Sequence, residues 1–103
     1  MAILVVFETP NISKKQYEDL RPVVKWETEH PAGIVCHSCA FDDKGAMHVI
    51  DVWNSEAELM NFFETRLMPG FKKLNITPPQ PKIYPLHNLN VFAPADQHRA
   101  KSR

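Results

Sequence analysis

GIVCHSCAFDDKGAMHVIDVWNSEAELMNFF, residues 33–63, is the stretch that decides the fold. Ile34 to Phe41 and Met47 to Trp53 are two apolar, alternating runs. Asp42, Asp43, Lys44 and Gly45 between them are turn formers, with glycine at the position where φ turns positive. Ser55 followed at the third position by Glu58 is a capping box. Leu59, Phe62, Phe63 and Leu67 recur behind it at helical spacing. The segment therefore reads as strand, tight turn, strand and capped helix.

Working outward, Ala2 to Phe7 is β-branched and aromatic without alternation, the pattern of a strand buried on both faces. Ser13 with Gln16 is a second capping box, and Tyr17, Leu20, Val23 and Val24 follow at helical spacing. Pro22 predicts a kink or a restart inside that helix, and His30, Pro31 and Gly33 end it. Beyond residue 63, Pro69 and Gly70 interrupt the second helix, and Phe71 to Leu74 add a further turn. Pro78, Pro79 and Pro81 form an extended connection to a last strand, Lys82 to Leu89. Pro81 and Pro85 cannot donate to a ladder, which places that strand on a sheet edge. Residues 1–89 form one domain; residues 90–103 are a polar tail, ordered only where it lies on a partner.

The order strand, helix, strand occurs twice. Right-handed crossovers fold this βαββαβ chain into an α+β, ferredoxin-like domain: a four-stranded antiparallel sheet with two helices on one face. The other face is bare, yet strands one, two and three offer apolar residues to both sides. That bare face needs an apolar cover, which a second copy in a homodimer would supply.

Composition narrows the function. Twelve basic and twelve acidic residues cancel over 103 residues, so no basic field exists to hold nucleic acid or an anionic membrane surface. The longest apolar run, Ala2 to Phe7, is far short of a bilayer span and lacks signal-peptide flanks. The reading is a soluble cytoplasmic protein whose two cysteines are reduced thiols. Cys36 and Cys39 are a literal C-x-x-C, but positions three apart on a strand point to opposite faces. No second pair or spaced histidine completes a metal site, so they read as two small core residues.

The repeated unit, the VIDVWNSEAELMNFF segment and the closing IYPLHN resemble the dimeric α+β barrel superfamily, in particular the small proteins grouped with the antibiotic-biosynthesis monooxygenases. The resemblance covers residues 2 to 89. It implies two sheets packed face to face across a dimer axis. Its members include cofactor-free oxidases of phenolic and quinol substrates, haem-degrading monooxygenases, decarboxylases and proteins without assigned function. The haem-degrading branch needs an Asn on strand one and a Trp and an axial His in the helix region. The corresponding helix positions here are Phe62 and Lys72, and strand one has no Asn. No haem, and no other cofactor, is expected.

Candidate site residues come from the hairpin register. A loop of Asp42 to Ala46 sets His37 opposite Asp51, and Val35 opposite Trp53. Val35, His37, Cys39, Val49, Asp51 and Trp53 then share the face turned to the barrel interior. Ile34, Cys36, Ile50 and Val52 go under the helices. A one-residue slip would undo this division. His37 with Asp51 is a candidate base for taking a proton from a phenol or quinol, and Trp53 a ring to stack on it. Tyr84, His87 and Asn88, near the end of strand four, are further candidates for binding a small aromatic ligand. His30 and His98 read as surface residues, and His48 as a residue towards the strand end with no special task. Two functions fit: a cofactor-independent monooxygenase on a phenolic or quinol-like substrate, or a non-catalytic ligand-binding or structural dimer. In the second, His37 and Asp51 merely satisfy each other's hydrogen bonds.

Overall fold

A computed structural model describes residues 1–101. Strand β1 (Ile3–Thr9) leads to helix α1 (Lys14–Val24), then β2 (Ile34–Phe41), β3 (Met47–Trp53) and helix α2 (Glu56–Phe62). A π turn (Phe63–Leu67) joins α2 to α3 (Met68–Lys73), and β4 (Pro81–Pro85) and a 3-10 turn (Ala93–His98) follow. The sheet is antiparallel throughout, in the order β2-β3-β1-β4. This is the ferredoxin-like arrangement, with β4 on an edge where its two prolines are tolerated.

The local signals explain the element starts. Ser13 caps α1 through a reciprocal pair, its hydroxyl accepting from Gln16 N–H and its own N–H donating to the Gln16 side chain. Ser55 caps α2 by accepting from Glu58 N–H at 3.2 Å. Gly45 takes φ of +83° in the hairpin turn, where its N–H donates to Asp42 O at 2.9 Å.

Element ends depart from expectation in three places. Helix α1 stops at Val24, before His30: Pro22 removes a donor, and Lys25 turns left-handed with φ of +63°. Helix two widens before Pro69, with Met68 N–H donating to Phe63 O. The extra residue in that turn answers the ring of Pro69, which can neither donate nor stack on a regular preceding turn. Strand β4 ends at Pro85, short of Leu89, although Leu86 N–H still donates to Ala2 O at 2.9 Å.

The hairpin register is the expected one over most of its length, with His37 opposite Asp51 and Cys39 opposite Val49. At its open end a bulge intervenes: Ile34, not Val35, faces Trp53, so Val35 is squeezed out and exposed.

The assignment of faces is reversed. Trp53, 1% exposed, packs at a tilt against Phe62 of α2 with ring centres 5.5 Å apart, and Tyr17 of α1 contacts both His37 and Phe41. The helices therefore cover the face bearing His37, Asp51 and Trp53, together with Val5, Phe7, Met47 and Val49 of the core. Ile50 and Cys36, expected beneath the helices, point the other way and are exposed. Ile34 does lie with the core, delivered there by the bulge. Aliphatic side chains alone misled the division, because the covered face tolerates a carboxyl and an imidazole that bond to each other. The bare face carries Leu4, Val6, Ile50 and Tyr84, with Val52 buried between Leu4 and Cys36.

Helices α1 and α3 approach closely at Gly70. A Cβ there would stand 2.6 Å from Val24 Cγ2, so a larger residue would force Val24 or the helices to shift.

Candidate functional site

Three elements converge on one imidazole. Strand pairing places Asp51 of β3 beside His37 of β2, and the capped start of α1 sets Tyr17 above them. His37 Nδ1 lies 2.7 Å from Asp51 Oδ1, and His37 Nε2 lies 2.8 Å from the Tyr17 hydroxyl. Trp53 Nε1 donates to the second oxygen, Asp51 Oδ2, at 3.2 Å.

This connectivity assigns the protons. An indole N–H can only donate, so Asp51 Oδ2 is an acceptor. With Asp51 accepting also from His37 Nδ1–H, the Nε2 lone pair is left for the Tyr17 hydroxyl. Burial pushes the Tyr17 phenol well above its ordinary range, with neighbouring Cys39 and Glu27 acting in the same direction. Tyr17 thus keeps its proton and donates it to Nε2. Burial likewise pushes the Cys39 thiol up to about 11. The His37 side chain is 27% exposed and that of Asp51 8%, so the base can be reached from outside while its carboxyl partner is held in the protein.

Trp26, on the turn after α1, closes the cluster, 5.5 Å from the Tyr17 ring and 5.8 Å from the His37 ring. Its indole N–H is buried and has no hydrogen-bond partner among the described residues. Sequence reasoning missed both aromatics. Spacing alone makes Tyr17 part of the apolar stripe of α1, although a phenol among aliphatic stripe residues carries a hydroxyl that needs a partner. Trp26 had no periodicity to reveal it.

The other candidates lie elsewhere. Tyr84 is exposed on the bare face, paired with Leu4, and His87 and Asn88 are exposed beyond the end of β4. None of these three joins His37. The cysteines do point to opposite faces, but Cys36 is exposed and only Cys39 packs against the core. His48 bridges Glu8 at 2.8 Å and Asp42 at 2.9 Å on the bare face. Two concavities, of about 600 and 270 Å³, flank α2 and α3, where Met68 and Pro78 line both. Among the described residues, no three metal-ligating side chains gather to hold an ion, and no helix is long and apolar enough to cross a membrane.

No known family profile matches the sequence, and no curated protein matches it. Solved structures do. SnoaB, a cofactor-independent oxygenase from Streptomyces nogalater, superimposes with a TM-score of 0.62 at 12% identity, covering 85% of this chain and 94% of that one. A Chloroflexus aurantiacus protein assigned to the antibiotic biosynthesis monooxygenases gives 0.61 at 12% identity, covering 89% of this chain and 100% of the other. Rv0793 from Mycobacterium tuberculosis gives 0.58 at 14% identity, covering 86% and 97%. At such identities the likeness speaks for architecture rather than chemistry. In its fold, a ferredoxin-like α+β sheet with helices on one face, the chain is similar to these antibiotic-biosynthesis-monooxygenase-like structures.

Proposed function

We propose that this protein is a cytoplasmic, homodimeric, cofactor-independent monooxygenase acting on a phenolic or quinol-like small molecule, with His37 as its base. The observation that carries the reading is the continuous chain Tyr17, His37, Asp51, Trp53. The substrate hydroxyl passes its proton to Tyr17 as Tyr17 passes its own to His37 Nε2. Asp51 holds the imidazolium that forms. A concerted relay suits a phenol whose free ionisation burial opposes. The electron-rich phenolate then reacts with O2. Phenol and O2 give a para-quinone and water, all four electrons coming from the substrate. The chemistry needs no resident redox group. SnoaB, a cofactor-independent oxygenase, supports the reading through its shared fold.

The bare sheet face supports the dimer. Leu4, Val6, Ile50, Val52 and Tyr84 form an apolar area in the middle of the sheet. A second copy laid face to face would bury it, in an interface of roughly 1,200 Å² or more in total. Val49 and Trp53, which the sequence had put there, belong to the helix-covered core. The dimer proposal therefore rests on Ile50 and its neighbours.

The test is O2 uptake and quinone absorbance with a panel of naphthols and naphthohydroquinones, comparing the native chain with His37→Ala. Turnover that disappears in the variant while the fold persists supports the proposal. Equal turnover in both chains, or none with any member of the panel, overturns it. One observation favours a non-catalytic ligand-binding or structural dimer: both His37 nitrogens already have partners. In that case His37→Ala would change stability and nothing else.

A further inference from the structure

The one buried donor without a partner in this cluster is the indole N–H of Trp26. The side-chain acceptors of the cluster, and those of adjacent Glu27, have other donors. Both Asp51 oxygens receive hydrogen bonds, from His37 and Trp53. Both His37 nitrogens are paired, and both Glu27 oxygens accept from Arg21 Nε at 3.0 Å. Buried polar groups are nearly always satisfied, and a lone exception beside a proton relay asks for an acceptor that arrives from outside.

Trp26 is suitably placed to receive one. Its ring contacts the two residues that move the proton, Tyr17 and His37. It lies just past the left-handed Lys25 cap, in the connection between α1 and β2. That connection lies outside the strand pairing that holds His37 against Asp51.

Building on the site proposed above, we infer that Trp26 is an oxyanion-binding residue of this protein. Its N–H donates to the phenolate oxygen that remains when the Tyr17–His37 pair has taken the substrate proton. The ligand class is a planar phenol entering between the α1–β2 connection and β2, with its hydroxyl between Tyr17 and Trp26. A donor aimed at an oxygen that gains charge stabilises the charged form more than the neutral one. The inference thus also says which state of the ligand the site prefers: the anion.

The chain has two tryptophans, so a 15N-labelled sample gives two indole N–H signals, and Trp26→Phe identifies one of them. Adding 4-nitrophenol to the native chain should move the Trp26 signal downfield and move the Trp53 signal less, since Trp53 already has Asp51 as acceptor. Trp26→Phe keeps a ring in place and removes the donor. It should weaken 4-nitrophenolate binding about tenfold or more, the size of one hydrogen bond to a charged group, and raise the pH at which the bound probe turns yellow. A Trp26 signal that stays still while the probe binds, as an internal water on the N–H would produce, overturns the inference. So does a Trp26→Phe chain that binds as well as the native one. In either case the proposed base survives, as His37→Ala would show separately. Failure of the native chain to bind the probe overturns the phenol site and the role of Trp26 together.

Discussion

Each face of the sheet carries a few residues of the kind expected on the other. The face under the helices, which forms the core, holds a carboxyl, an imidazole and a phenol in one hydrogen-bonded chain. The bare face holds Ile50 at 47% exposure and Tyr84 at 52%. Each face also carries a histidine between two oxygen partners. His37 lies between Tyr17 and Asp51 in the partly buried cluster, and His48 between Glu8 and Asp42 in the open. The polar groups under the helices are tolerated because they satisfy each other. Among the described residues, nothing covers Ile50 and Tyr84 on the bare face. Polarity inside a core marks a site, and apolarity outside one marks a surface awaiting cover.

The largest expected effect falls on the covered face. His37→Ala should lower turnover of a phenolic substrate about 100- to 10,000-fold, the usual worth of a positioned base, whereas Ile50→Ala on the bare face should leave the chemical step alone. Steady-state O2 uptake compares them. If both variants lose activity equally, the separation of the two faces into chemistry and assembly is wrong.

The next effect belongs to the bare face. Ile50→Asp sets a carboxylate in the middle of the proposed interface and should convert a dimer into monomers at micromolar concentration. Sedimentation velocity checks this. A native chain that is already a stable monomer would leave the bare face without its proposed partner.

A smaller change is expected at Gly70, where α1 and α3 touch on the covered side. Gly70→Ala drives a methyl into Val24 and should cost about 1–3 kcal/mol, as overpacking does. Denaturant unfolding measures it. An unchanged midpoint would show that the helices can slide apart over the sheet.

The smallest effect is a pH dependence on the bare face. Hydrogen bonds to Asp42 and then to Glu8 raise the His48 pKa above 6.5. His48 therefore adds stability that is fully present below pH 6.5 and is lost as pH rises through the raised value. His48, followed by backbone N–H groups, lowers the Asp42 pKa below 3.8. That contribution is present above pH 3.8 and is lost as pH falls through the lowered value. The difference in melting temperature between the native chain and His48→Gln should be greatest in mild acid, near pH 5, and fade in alkali. Both groups are solvent-exposed, so salt should shrink it. A difference that grows with pH would contradict the bridge.

Much of the fold was legible because its signals are local. Two serine capping boxes, the DDKG turn and the edge prolines each act within a few residues of themselves, and the structure puts helices, a hairpin and an edge strand at those places. The His37–Asp51 pairing was legible for the same reason, since the turn length sets the register of the hairpin. Other features depend on neighbours distant in sequence. Which face the helices cover was settled by Tyr17 and Phe62 reaching across to His37 and Trp53, contacts that no period within a strand encodes. The bulge at Val35 placed Ile34 rather than Val35 opposite Trp53. The widened turn before Pro69 likewise surfaced only when the chain was folded. The sequence by itself determined the order of elements and the hairpin register from Cys36 to Phe41, because the turn and hydrogen bonds of short sequence separation fix both. Only the tertiary structure decided that His37 answers to Tyr17 and leaves Trp26 unpaired, because burial and hydrogen-bond satisfaction depend on the whole assembly of sheet and helices.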